Sequence, residues 1–120
     1  MTGYEEGLDG TSRAALEEAA AVFGLLGSPV RLRILQVLAR GESSVAHIAE
    51  RVGGAMSTVS QHLSALRLSG LVGARREGRR QVYFLEDPGV VEVVQVMVGQ
   101  LALRAELRPD LARGPGRGDA

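Results

Sequence analysis

Two short amphipathic segments separated by only three residues constrain the fold of this chain more than any other feature. In the first segment, residues 44–52, apolar side chains recur at the spacing of one helical face: Val45, Ile48, Ala49 and Val52. The second segment, residues 56–69, also has helical periodicity. The linking residues begin with Gly53-Gly54, which can adopt the left-handed backbone that ends a helix. The pattern predicts two helices joined by a short turn, a helix–turn–helix unit.

The second of these helices has an apolar stripe formed by only Val59, Leu63 and Leu66. The rest of its surface carries hydrogen-bonding side chains and almost no charge: Ser57, Thr58, Ser60, Gln61, Ser64 and Arg67. Short hydroxyl side chains let a helix approach base edges closely, and glutamine and arginine can form paired hydrogen bonds with adenine and guanine. We therefore predict that this helix enters the major groove of DNA. The alternative is a Ser/Thr-rich surface helix that has no partner.

A predicted β-hairpin follows directly. The segments Leu71–Arg76 and Arg80–Leu85 have strand-like composition and flank the short linker Glu77-Gly78-Arg79. Four arginines crowd the tip of this hairpin: Arg75, Arg76, Arg79 and Arg80. Like charges at such spacing repel one another unless an anion lies nearby, so we predict that this tip contacts a phosphate backbone or a minor groove. A solvated turn is the alternative.

The charge distribution agrees with a nucleic-acid partner although the formal net charge is zero. Residues 31–80 contain nine Arg and three acidic residues, whereas residues 1–30 contain one Arg and five acidic residues. Residues 81–120 contain four Arg and six acidic residues. A basic middle between acidic ends is typical of a protein whose central face meets phosphate.

Three further helices complete the predicted domain. Two of them precede the helix–turn–helix unit, at about residues 12–25 and 29–40. Residues 41–44 then form a turn, with or without a short strand, that leads into the unit. The third follows the hairpin, where Asp87 serves as N-cap and Pro88 as first helical residue. We predict one domain over residues 11–112, with disordered tails at residues 1–10 and 113–120.

The predicted class is therefore α+β and mostly α, with about five helices and a two-stranded hairpin. Ten of the fourteen residues from Val90 to Leu103 are apolar, about twice what one buried stripe requires. This surplus predicts a second partner surface on the last helix, such as the one that a homodimer would supply. A two-fold dimer would set two recognition helices about 34 Å apart, one for each of two successive major grooves.

From about Leu25 to Leu85 the chain resembles the ArsR/SmtB family of bacterial winged helix–turn–helix repressors. The resemblance is carried by STVSQHLSALRLSGLV and by the R-x-G-R-x-x-x-Y pattern that follows it. It implies a dimer that is built by the first and last helices, binds operator DNA and responds to an effector. On those two helices the predicted dimer residues are Leu16, Phe23, Val90, Val94, Met97 and Leu101. By position, it also implies DNA contacts at Ser57, Thr58, Ser60 and Gln61 and a wing over 75–80. His62 falls on the family's frequent His-Leu pair, where it either contacts phosphate or packs beneath the helix.

The resemblance also places the family's metal-ligand positions on this chain. The family's thiolate site on the third helix falls on Ser44 and Ala46, and the chain has no cysteine. The next family ligand falls on His47, for which an ordinary surface histidine is the alternative. In the last-helix site the aspartate is kept as Asp87, and the other three positions fall on Gly89, Gln100 and Leu103. The usual tetrahedral zinc or cobalt site is therefore not expected. An oxygen-rich site using Glu86, Asp87, Glu92 or the acidic N-terminus would suit a metal such as nickel. Nickel or zinc is thus the candidate metal effector, and a small organic effector, a partner protein or no ligand are the alternatives.

Other function classes are disfavoured by the residues present. Neither a cysteine nucleophile, a Gly-rich phosphate loop nor a Ser-His-Asp set is visible, so no enzyme is predicted. RNA binding is disfavoured because the chain has only four aromatic residues for base stacking, Tyr4, Phe23, Tyr83 and Phe84. A protein–protein assembly module would carry an acidic or apolar wing, yet this wing is basic. No apolar run reaches the ~18 residues of a membrane span, and the N-terminus is not a signal peptide, so we expect a cytoplasmic protein.

Overall fold

The computed structural model describes residues 12–108 of the 120-residue chain. The two tails predicted to be disordered, residues 1–10 and 113–120, lie outside the described residues. The described part divides into two compact units, the first ending at Glu86 and the second beginning at Asp87. The element order is helix, helix, strand, helix, helix, strand, strand, helix.

Helices α1 (Arg13–Leu26) and α2 (Pro29–Arg40) begin at serine caps. The Ser12 hydroxyl accepts a hydrogen bond from the Ala15 amide, and the Ser28 hydroxyl accepts one from the Arg31 amide. Each satisfies a backbone donor that a helix start leaves free. Pro29 follows Ser28 as the first residue of α2, which confirms the predicted start.

The helix–turn–helix prediction is confirmed by helices α3 (Val45–Val52) and α4 (Met56–Leu68). Gly53 ends α3 with φ +78°, a left-handed conformation that residues with a Cβ rarely adopt. The amides of Gly53 and Gly54 both donate to the Ala49 carbonyl and close the turn. The chain therefore changes direction within three residues.

The core of the first unit is built from the apolar faces of α2, α3 and α4. Its most deeply buried side chains are Ile34, Leu35, Ile48, Val59, Leu63 and Leu66, each at most 1% exposed. Because their neighbours cannot fully close a gap, truncating such a side chain to alanine typically costs about 2–5 kcal/mol of stability. This core fixes which face of α4 points outward.

The hairpin is confirmed as strands β2 (Val72–Glu77) and β3 (Arg80–Leu85), with β2 one residue later than predicted. A third strand, β1 (Ser43–Ser44), pairs antiparallel with β3, giving the order β1-β3-β2. The wing is therefore part of a three-stranded sheet rather than a two-stranded hairpin. The pairing of β1 with β3 joins the start of α3 to the wing.

Within the described residues, the second unit contains helix α5 (Pro88–Leu107). Asp87 is the N-cap and Pro88 the first helical residue, which confirms the prediction, although the Asp87 side chain makes no capping hydrogen bond. The ψ of Asp87 is 82°. The two serine N-caps that do form a capping hydrogen bond, Ser12 and Ser28, have more extended ψ angles of 153° and 121°. Large apolar side chains are exposed along this helix: Val93, Val96, Met97, Val98, Leu101, Leu103 and Leu107.

Candidate nucleic-acid interface

Helix α4 presents a polar face to solvent because its apolar stripe packs into the core. Val59, Leu63 and Leu66 are buried. The exposed positions on the other side, here called the recognition face, are Ser57, Thr58, Gln61, Ser64 and Arg67. Ser60 is half-buried at the edge of this face. The recognition face can offer hydroxyl, amide and guanidinium groups to base edges.

The start of α4 also favours an anionic partner. Its N-cap residue is Ala55, which has no side-chain acceptor for the first backbone N–H groups of the helix. Ser57 and Thr58 lie in the same first turn. Free amides and the positive end of the helix dipole attract phosphate oxygens, so this turn suits the DNA backbone as well as the bases.

His62 is half-buried and is held by α2. Its Nδ1 atom accepts a hydrogen bond from Nε of Arg31 at 3.0 Å, and Nη1 of Arg31 donates to the Leu25 carbonyl at 3.3 Å. Of the two interpretations of His62, this contact favours packing beneath the helix. The sequence pattern did not indicate Arg31, because the two residues lie on different helices.

The wing arginines, Arg75, Arg76, Arg79 and Arg80, do not share one environment. Arg75 forms salt bridges with Glu42, at 2.5 Å, and with Glu77, at 2.7 Å. The hydrogen bond from Arg75 lowers the pKa of Glu42, and the hydrogen bonds to Glu42 and then Glu77 raise the pKa of Arg75. The anion predicted to offset the repulsion among the wing arginines is therefore supplied, for Arg75, by Glu42 and Glu77 of the same chain.

The other three wing arginines are exposed, and within residues 12–108 no carboxylate forms a salt bridge with them. Cross-strand pairs set their directions. Arg76 faces Gln81 and Glu77 faces Arg80, so Arg76 and Arg80 project from opposite faces of the ribbon. These guanidinium groups are available to a phosphate backbone.

A close packing contact supports the base of the wing. Gly73 pairs with Phe84 across the strands, and a Cβ added at Gly73 would lie 2.6 Å from two carbons of the Phe84 ring. The guanidinium carbon of Arg75 lies 5.9 Å from the centre of the same ring, within the range of a cation–π interaction. Glycine at position 73 therefore lets the Phe84 ring pack against the backbone of β2.

The residues predicted to form a dimer differ in exposure. Leu16 and Phe23 on α1 are each 59% exposed, and Met97 and Leu101 on α5 are 56% and 46% exposed. Val90 is half-buried, and Val94 is buried in the single chain. Four of the six predicted residues are thus open to a second copy.

The weak metal candidates are not brought together. Among residues 12–108, no group of three or more His, Cys, Asp or Glu side chains could hold a metal ion. His47 is exposed on α3, whereas Asp87 and Glu92 are exposed in the second unit. The described residues of one chain therefore supply neither the four ligands that a zinc ion normally takes nor a cluster of three for a nickel ion.

In the described range 12–108, no single helix is long and apolar enough to cross a membrane. Helices α1 and α2 reach the required length and apolarity only when taken together, and the chain bends by 92° at the break between them.

Comparison with known proteins agrees with this geometry. A family model described as a helix–turn–helix domain matches residues 26–72. The chain is 36% identical over 103 residues to a protein of Streptomyces lividans named "probable mercury resistance operon repressor". That match covers 86% of this chain and 82% of the relative.

Two solved structures from mycobacteria are also similar. The crystal structure of Rv0081 from Mycobacterium tuberculosis has 34% identity and a TM-score of 0.71, covering 81% of this chain and 98% of that chain. A solution structure from Mycobacterium bovis has 40% identity and a TM-score of 0.66, covering 72% and 83% of the two chains. It is described as a homodimeric winged helix–turn–helix DNA-binding domain of "a possible ArsR-family transcriptional regulator".

Proposed function

The chain belongs to the ArsR/SmtB family of winged helix–turn–helix transcriptional regulators, and we propose that it represses its target genes by binding operator DNA as a homodimer. It is a DNA-binding regulator rather than an enzyme. The observation that carries the proposal is the recognition face of α4, which is polar and nearly uncharged above a fully buried apolar stripe. We also propose a cytoplasmic location, because a bacterial repressor meets its operator DNA in the cytoplasm.

The proposed division of labour follows the two kinds of surface. The recognition face makes base contacts, and the exposed wing arginines, Arg76, Arg79 and Arg80, contact phosphate. Arg75 acts with them only to the extent that it leaves Glu42 and Glu77. His62 supports α4 through its hydrogen bond with Arg31, and Ser60 lies at the edge of the base-contacting surface.

The test is salt-dependent binding of the purified protein to DNA from its own promoter region, followed by fluorescence anisotropy. We expect binding at low salt that weakens as a power of the salt concentration, because phosphate contacts release counterions. An unrelated duplex of the same length is the control and should bind more weakly. Failure to bind either duplex at low salt would favour the protein–protein assembly module.

The dimer proposal is supported by the exposed apolar side chains of α1 and α5. Burying Phe23 and Met97 between two copies removes apolar surface from water, which favours association. Sedimentation equilibrium should show a dimer for the wild type and a shift to monomer for Phe23→Asp. Leu68→Asp is the control, because Leu68 is 91% exposed on α4 and lies outside the proposed dimer surface.

A metal-responsive function is a second candidate only because the Streptomyces lividans relative is named as a mercury resistance operon repressor. Soft metals prefer thiolate ligands, and this chain has no cysteine. A nickel or zinc site would need ligands beyond the described residues or from a partner protein. Calorimetry against both ions distinguishes these cases: saturable one-to-one binding would support a metal effector, and its absence would favour another effector.

A further inference from the structure

A small cavity lies on the side of α3 that faces away from the core. It has a volume of about 220 Å³ and is lined by the end of α2, the turn into β1 and the exposed side of α3: Val37, Arg40, Gly41, Glu42, Ser43, His47 and Arg51. We call it the α2–α3 cavity. Drug-sized ligands occupy roughly 300–1,000 Å³, so this space suits a smaller molecule.

The charges that line this cavity are mostly positive. Arg40 and Arg51 carry permanently charged guanidinium groups, and His47 adds an imidazole. Within residues 12–108 neither arginine forms a salt bridge. The single carboxylate of the lining, Glu42, is already paired with Arg75.

The Ser43 hydroxyl and the backbone amide of His47 are also engaged within the chain. The Ser43 hydroxyl donates to the Gly41 carbonyl at 3.4 Å, and the His47 amide donates to the Ser44 hydroxyl. The guanidinium donors of Arg40 and Arg51 therefore remain for a ligand. A guanidinium matches the two oxygens of a carboxylate or a phosphate.

From these observations we propose that the α2–α3 cavity binds a small oxyanion, a carboxylate or a phosphate, between Arg40 and Arg51. The anion is an effector candidate, because Glu42 is both a wall of the cavity and the partner of Arg75 in the wing. A negative charge bound beside Glu42 changes the strength of the ion pair between Glu42 and Arg75. Its role as an effector rests on the proposed function, whereas anion binding itself does not.

The binding test uses the free full-length protein, so that it is independent of DNA. The imidazole signals of His47 are followed by NMR while inorganic phosphate or succinate is added at constant ionic strength, with chloride as the balancing anion. We expect saturable shifts with at least one of the two anions. Arg51→Gln and Arg40→Gln should each weaken binding about tenfold, because each removes a charge-assisted contact.

Arg33→Gln is the matched control, since Arg33 is an exposed arginine of α2 that does not line the cavity. It should bind the anion as the wild type does. Shifts that never saturate, or that are equally weakened in all three variants, would overturn the proposal.

Duplex DNA provides the last arm of the experiment. If DNA and the anion bind together, the cavity is a separate effector site, as proposed. If DNA displaces the anion competitively and moves the His47 signals itself, the cavity is a contact for the DNA backbone and the proposal is wrong. Either result leaves the DNA-binding function intact, so the two proposals fail separately.

Discussion

Arg31 on α2 donates a hydrogen bond from Nε to Nδ1 of His62 on α4 over 3.0 Å, although the residues lie 31 positions apart. Because Nδ1 is the acceptor, the imidazole carries its proton on Nε2. The contact fixes the recognition helix against α2 and leaves one nitrogen of His62 for another partner.

Replacing His62 tests whether it serves packing or DNA. We expect His62→Ala to lower the free energy of unfolding by about 1 kcal/mol, the usual contribution of a hydrogen bond. In a double-mutant cycle with Arg31→Ala, measured by urea unfolding, the two losses should not add. The salt dependence of DNA binding should be unchanged. A decrease of about one in its slope would instead assign His62 to a phosphate contact.

The ion pair between Glu42 and Arg75 predicts a pH effect. Because folding lowers the pKa of Glu42, the pair stabilises the fold above the ordinary carboxyl pKa, and this contribution is lost as the pH falls through the lowered value. NMR titration of the Glu42 carboxyl should show the lowered pKa in the wild type and a return towards the ordinary value in Arg75→Gln. An unchanged pKa in that variant would mean that Arg75 is not the cause. Arg76→Gln is the control and should leave the pKa in place.

The wing arginines should contribute unequally to DNA binding. Arg79 has no salt bridge within residues 12–108, whereas Arg75 is already bound to two carboxylates. We expect Arg79→Ala to reduce the slope of log K against log salt by about one and to weaken all duplexes alike. Arg75→Ala should change the slope less, because exchanging its carboxylates for phosphate releases fewer counterions. Equal changes in the two variants would show that Glu42 and Glu77 do not hold Arg75 in the complex.

Local features of the chain were predictable, and contacts between distant segments were not. The helix–turn–helix, the serine cap at Ser28 and the hairpin follow from periodicity and turn chemistry, which act over a few residues. The pairs Arg31–His62 and Glu42–Arg75 join residues 31 and 33 positions apart, and no periodic pattern marks such pairs. The missing cap bond of Asp87 depends on its backbone angles, which residue type alone does not fix.

Gly73 should be intolerant of substitution because of the Phe84 ring. In Gly73→Ala the new Cβ would approach that ring to 2.6 Å, so the ring must rotate away or the strands must separate. We expect a loss of about 1–3 kcal/mol, the usual effect of overpacking, measured by thermal unfolding. Gly54→Ala is the control, since its Cβ would meet only a Val59 methyl at an ordinary 3.6 Å. Equal stability of both variants would show that Phe84 moves freely.

Gln61 is the residue of the recognition face that best distinguishes base contacts from phosphate contacts. Its exposed amide can donate to and accept from one adenine, so Gln61→Ala should cost about 1–3 kcal/mol of binding and relax base preference at one operator position. Selection of bound duplexes from a randomised pool, for wild type and variant, measures this change. Gln36→Ala is the matched control, because Gln36 is an exposed glutamine on α2. If Gln61→Ala weakened every duplex equally and kept the same preferred sequence, α4 would bind DNA without reading bases through Gln61.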